Sequence, residues 1–183
     1  MPRPKFDYTL DYPNLNLREQ PELYRVGIGE QGVLSVEPYK SEILPHWRFK
    51  NPEVAEESAQ KIYRLFLEYK QAKDFVGMDM ARKFLQMGYT RSRRYANHKS
   101  GRKYSSEDKA TPPQHIPATP PYKTQANRDH HVKKRVKQVL PQAADALTNE
   151  KAEAARIFYG YYLQARQDNM YQKWKKEWQE KYG

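Results

Sequence analysis

A chain of 183 residues has room for one domain, or one domain with tails. Apolar residues make up 38% and charged residues 30%, so part of the chain is expected to stay outside the core, while fifteen tyrosines and three tryptophans supply large buried area where a core does form. The absence of cysteine excludes disulfides, thiolate nucleophiles and thiolate metal sites. No apolar run approaches the ~18 residues of a bilayer span, and the opening MPRPKFDYTLDY has no apolar leader core, which together predict a soluble cytoplasmic protein without a membrane partner.

In chain order, residues 1 to 50 read as irregular, with turn-forming Pro and Gly between Pro13 and Pro45. Leu23 to Ile28 and Val33 to Val36 are the strand candidates, and Gly29-Glu30-Gln31-Gly32 between them predicts a small hairpin. Tyr39, Ile43, Leu44, Trp47 and Phe49 then form apolar cover for the helices that follow. Asn51-Pro52-Glu53 is a helix start: Asn caps free amides, Pro lacks the amide that would go unpaired, and Glu suits the positive end of the dipole. Val54, Ser58, Ile62, Leu65, Phe66 and Tyr69 recur at three and four residues, a single stripe to about Lys70. Asp74 caps the next helix, in which Val76, Met80, Ala81, Phe84, Leu85 and Met87 form one apolar face. After Gly88 the pattern changes: Arg91, Arg94, His98 and Arg102 fall on one side, Arg93 and Asn97 flank it, and Gly101 terminates the helix.

Five prolines between Ser105 and Arg128 favour an extended linker. His131 to Leu140 carries the pattern of a short helix, with Val132, Val136, Val139 and Leu140 on one side and Lys133, Lys134 and Lys137 on the other, ended by Pro141. Thr148 or Asn149 caps a last helix with Ala155, Phe158, Tyr159, Tyr162 and Leu163 as its stripe. The spacing breaks at Gln167-Asp168-Asn169 before Tyr171, Trp174, Trp178 and Tyr182 resume it.

Charge is the main functional clue. Phe75 to Tyr104 holds eight Lys/Arg against one acid, Asp79, and supplies +7 of the formal +11; Tyr122 to Leu140 adds +5, so the remainder sums to about −1. Confinement of positive charge to two stretches predicts an anionic partner. Lys and Arg at successive turns can each meet a phosphate, Arg with a planar fork; Tyr89, Tyr95 and Tyr104 could stack on bases, and Asn97 could read a base edge. The nucleic-acid-binding set is therefore Arg82, Lys83, Arg91, Arg93, Arg94, Tyr95, Asn97, His98, Lys99, Arg102 and Lys103, joined by Lys133, Lys134 and Lys137 from the second stretch as a basic arm. The competing structural role is a solvated face whose arginines pair with Glu22, Glu30, Glu37 or Glu42. An adaptor that binds an acidic protein through the same face is a rival function.

Other motifs weigh less. Gly27-Ile28-Gly29-Glu30-Gln31-Gly32 matches GxGxxG, but Val33-Leu34-Ser35-Val36 follows where a dinucleotide fold needs a helix, which favours a turn. No HExxH or comparable spacing links His46, His98, His115, His130 and His131. Glu37, Glu42 and His46 lie close enough in sequence to suggest a metal-dependent nuclease, a second rival, with Asp79 as a further carboxylate to test. No metal, cofactor or catalytic residue is assigned, and binding alone requires no catalysis. Trp174 and Trp178 read as a docking edge onto the rest of the domain, or as an oligomer contact.

Three blocks are familiar together: PELYRVGIGEQGVLSVEPYKSEILPHWRFK from Pro21, DFVGMDMARKFLQMGYTRSRRYANHKSGRKY from Asp74, and TNEKAEAARIFY from Thr148. With them the chain resembles a family catalogued as domain of unknown function 4385, small cytoplasmic proteins of bacteria and phages. Ser105 to Pro141 lies outside those blocks. The resemblance implies a domain spanning most of the chain, with residues 1 to 104 and 148 to 183 as one unit, and no activity, cofactor or catalytic residue to carry over.

The expected fold is mainly α, with three principal helices at about 52 to 73, 74 to 101 and 148 to 181 and an irregular or hairpin N-terminal part. Residues 1 to 104 plus 142 to 183 are expected to form one compact domain, and 105 to 141 a Pro-rich basic linker or arm with a short helix at 131 to 140. The expected function is nucleic-acid binding, mainly to phosphates and weakly sequence-specific.

Overall fold

The computed structural model describes residues 6–105 and 138–183. Five α-helices form among them: α1 (Tyr39–Ile43), α2 (Pro52–Gln71), α3 (Phe75–Asn97), α4 (Glu150–Gln167) and α5 (Asn169–Tyr182). The fold is mainly α, and its long helices start where the capping residues predict. Asn51 accepts from the Val54 amide, Asp74 from Gly77 and Asn149 from Ala152, each at 2.9 Å. Each bond satisfies an amide that a helix start leaves without a backbone partner.

The C-terminal helical region is two helices, joined at the break that the sequence shows. One Asp168 oxygen accepts the Met170 and Tyr171 amides at 2.9 and 3.0 Å, starting α5, and the other takes Lys70 Nζ of α2 at 2.6 Å. A single side chain thus ends one direction of chain and ties the next to a third element.

The central element is α3, which packs most extensively against α4 and α2 and also touches α1 and α5. One apolar face was the expectation; instead every residue from Phe75 to Leu85 is buried, including Asp79, Arg82 and Lys83. A helix enclosed on all sides must bury whatever its sequence carries. Close approach is part of this arrangement: a Cβ on Gly88 would lie 2.2 Å from the Phe158 ring of α4.

Around α3 the core includes tyrosines whose hydroxyls end on carboxylates. Tyr24, Tyr39 and Tyr171 are each 1% exposed. Tyr24 and Tyr171 donate to Asp79, Tyr39 to Asp74 at 2.7 Å, Tyr69 to Glu42 at 2.6 Å and Tyr161 to Glu56 at 2.6 Å. Tyrosine can fill a core only if its polar tip is matched, and these carboxylates match it.

The expected hairpin is absent: among the described residues there is no strand, only an isolated antiparallel bridge between Tyr104 and Val139. Gly27, Gly29 and Gly32 have positive φ and wind residues 27–35 into successive turns, with Val33 N bonded to Glu30 O and Ser35 N to Gly32 O. Gly32 is also a contact requirement, because a Cβ there would stand 2.2 Å from the Phe6 ring. The carbonyls of Gly29 and Gln31, in the expected turn, accept from Arg82 at 3.2 Å and Lys83 at 2.7 Å, which fixes this stretch against α3.

At its far end α3 stops at Asn97, short of the expected Gly101, where φ is +69°. The chain then runs back beside residues 138–146, with Ala143 N bonded to Asn97 O at 2.7 Å, Ser105 N to Gln138 O at 2.9 Å and Leu140 N to Lys103 O at 2.8 Å. Residues 138–140 of the predicted short helix are therefore extended. Its remainder, with Lys133, Lys134 and Lys137, lies outside the described residues.

Candidate nucleic-acid interface

The cations of α3 divide into two groups. Arg82 and Lys83 belong to the core, a correction to their place among surface contacts. Asp79, fully buried, accepts Arg82 Nε at 3.0 Å and Nη2 at 2.8 Å, and lies 3.5 Å from Lys83 Nζ. Burial alone would raise the Asp79 carboxyl, but Arg82 and Lys83, with the hydroxyls of Tyr171 and Tyr24, outweigh it and hold the group well below the usual carboxylate range. For Arg82, burial opposes the charge and Asp79 more than restores it. Burial pulls the Lys83 ammonium down to about 8 against the attraction of Asp79, with Arg82 adding to the depression. Phenols of Tyr24 and Tyr171 are pushed well up, first by burial and then by Asp79. This cluster clamps α3 to residues 24–31 and to α5, and it leaves no charge at the surface.

Past Gly88 the surroundings open. Arg91 and Arg94 are exposed on the last turns of α3, and Lys99, Arg102 and Lys103 on the chain that follows. Among the described residues none of these five makes an ion pair. The carboxylates named as structural partners are committed elsewhere: Glu42 to both Arg18 terminal nitrogens at 2.7 and 2.8 Å, Glu37 to Lys40 at 3.1 Å, and Glu30 to the Thr90 hydroxyl at 2.6 Å. Glu22 pairs with none of the five. Arg94 also complements the negative end of the α3 dipole.

Three other expected contacts are tied into the fold. Arg93 Nη2 donates to Asn97 Oδ1 at 2.9 Å and to Ala146 O at 2.6 Å, so both side chains brace the chain that returns to α3. His98, expected on the exposed side, is 8% exposed, its Nδ1 3.2 Å from Pro141 O. It is buried because the helix has already ended and residues 138–146 cover it.

Tyr95 and Tyr104 remain available, 39% and 44% exposed. Tyr95 lies against Gly101, where a Cβ would be 2.6 Å from its ring, and beside Phe49 and Lys151. Lys103 Nζ sits 5.6 Å from the Tyr104 ring centre. An open groove of about 660 Å³ runs along this loop, between residues 97–100 and 140–145; Asp145 is the carboxylate in its lining. Sequence reasoning misses the wall from Leu140 to Asp145. No local pattern signals it, because it arises from backbone bonds between residues far apart in the chain.

The nuclease residues do not form a site. Glu37, Glu42 and Asp79 are engaged as described, and among the described residues no group of three His, Cys, Asp or Glu could hold a metal ion. A separate aromatic hollow of about 330 Å³, walled by Phe75, Trp174, Trp178 and Tyr182, lies at the other end of α3. Trp178 Nε1 donates to Tyr24 O at 3.1 Å, so this residue docks α5, as its spacing predicts.

A family model matches residues 7–181. The chain belongs to the family described as Domain of unknown function (DUF4385). The match takes in the α3 and α4 blocks and runs through residues 105–141 as well, which the resembling blocks leave out. No curated protein and no solved structure matches the chain. The family's description states no activity, so a functional reading rests on the surface itself. Among the described residues, no helix is long and apolar enough to cross a membrane.

Proposed function

We propose that this member of the family binds nucleic acid through the basic surface at the end of α3, with Arg91, Arg94, Lys99, Arg102 and Lys103 on phosphates and little sequence preference. The observation that carries the reading is the absence, among the described residues, of any carboxylate paired with these five cations, while Arg82 and Lys83 on the same helix share the buried Asp79. Exposed cations that repel one another lower their energy by gathering phosphates and releasing the counterions of the polyanion. The Tyr104 to Val139 bridge sets Lys103 beside the chain that returns at Gln138, so the ends of the two basic stretches of sequence meet at one place.

The test is fluorescence anisotropy of labelled DNA and RNA, titrated with the full chain over a range of salt. Binding is expected to weaken with salt, and Arg91→Ala/Arg94→Ala/Arg102→Ala to flatten the slope of log K against log salt by roughly two to three units. If the wild type binds nothing tighter than about 10⁻⁴ M at low salt, the reading fails, since nonspecific binders do better. Capture of an acidic protein after nuclease treatment would then favour the adaptor.

A further inference from the structure

The surface differs from the basic helix that the sequence suggests, and the difference bears on the form of its ligand. A helix that reads duplex DNA lies in the major groove and presents side chains over several turns. Here Arg91 and Arg94 are separated by less than one turn, Arg93 is held by Ala146 O, and His98 is buried. The other cations, Lys99, Arg102 and Lys103, stand on irregular and extended chain beyond the end of α3. Cations in this path follow a loop rather than a rod.

Exposed aromatic rings lie among them. Tyr104 keeps 44% of its surface in solvent although it belongs to the backbone bridge with Val139, which holds its main chain in place. Tyr95 is backed by Gly101 and Phe49, so its ring is fixed while part of it stays open. Exposed rings on a held main chain beside cations make a stacking platform, and only unpaired bases can offer their faces to one. The groove between residues 97–100 and 140–145, about 660 Å³ with Lys99 and Ser100 on its rim, offers room beside this path for a base turned out of a strand. Its Asp145 disfavours phosphate there, which suits a base rather than backbone.

We infer that the ligand is single-stranded nucleic acid, with its phosphates on Arg91, Arg94, Lys99, Arg102 and Lys103 and its bases stacked on Tyr104 and Tyr95. The inference rests on the reading of this surface as a nucleic-acid interface. It adds the strandedness of the ligand and the roles of two tyrosines.

The experiment compares a labelled oligothymidylate of about 20 nucleotides with a duplex of about the same length, at matched salt, using the full chain and its Tyr104→Ala and Tyr104→Phe variants. The single strand is expected to bind at least about tenfold more tightly than the duplex. Tyr104→Ala should weaken it by roughly five- to hundredfold, leave the duplex within about twofold, and leave the thermal melt unchanged, because the side chain is exposed; Tyr104→Phe keeps the ring and should bind as wild type. Duplex binding as tight as single-strand binding, or a Tyr104→Ala variant with unaltered affinity for the single strand, would overturn the inference and leave nucleic-acid binding standing. If neither form binds, the interface reading itself fails, and the inference falls with it.

Discussion

Two halves of one helix treat positive charge in opposite ways. In the first half of α3, Arg82 and Lys83 are buried, share Asp79, and donate further to the carbonyls of Gly29 and Gln31 and to the Gln86 side chain. In the second half, Arg91 and Arg94 stand in solvent with no carboxylate partner among the described residues. The residue type is the same, so the difference comes from what lies over each segment. The N-terminal segment, α2, α4 and α5 enclose the first half, whereas beyond Gly88 only Ser92 and Ala96 of α3 are buried and the returning chain at 138–146 holds Arg93 and Asn97 but not Arg91 or Arg94. A cation inside a fold is a packing problem solved by a counter-charge; a cation outside it without one is available to a partner.

Several changes would test this contrast. The largest effect is expected from Asp79→Asn, which preserves shape but leaves Arg82 and Lys83 buried without a counter-charge. Loss of about 3 to 5 kcal/mol of stability should appear as a lower urea midpoint, and a loss below ~1 kcal/mol would mean that the cluster does not hold the core together.

Alkaline pH provides a second probe. Lys83 titrates at about 8 when folded and at ~10.4 when unfolded, so between those values the unfolded chain binds more protons and stability rises with pH. The full contribution is on the order of 3 kcal/mol, and Lys175, also depressed by burial, acts with the same sign. Above about pH 10 the trend reverses, because Tyr24 and Tyr171 resist ionisation in the folded state and not in the unfolded one. Urea unfolding measured from pH 7 to 11 should show a maximum, and Lys83→Met should reduce the rise between pH 8 and 10 to the part that Lys175 supplies.

Gly88 marks the boundary between the halves. A methyl group there must displace the Phe158 ring or separate α3 from α4, so Gly88→Ala is expected to destabilise by roughly 1 to 3 kcal/mol despite the better helix propensity of alanine. On α4, Gly160 has open space around its would-be Cβ, and Gly160→Ala should stabilise by up to about 1 kcal/mol; thermal melts of the two variants should move in opposite directions. The smallest effect belongs to the exposed half: Arg91→Ala/Arg94→Ala should change stability by less than about 0.5 kcal/mol while weakening nucleic-acid binding. A large fall in its melting temperature would show that these arginines are structural after all.

Helix positions were legible because their signals are local. Asn51-Pro52, Asp74, Asn149 and Asp168 act within three or four residues of themselves, so spacing and side-chain chemistry sufficed to find the starts and the break. The class of the fold followed from them. The hairpin was misread because Val33-Leu34-Ser35-Val36 has strand composition, whereas its backbone path is set by three positive-φ glycines and by two cations more than fifty residues away.

For the candidate site, sequence alone determined which residues carry charge and that the charge is concentrated in two stretches of chain. Only tertiary structure decided which cations reach the surface. Arg82 and Lys83 are sequestered because α3 is enclosed through Leu85, and His98 because a segment more than forty residues away returns to cover it. Charge is a property of a residue, but its availability depends on the dielectric and the partners around it, and those are supplied by the whole fold.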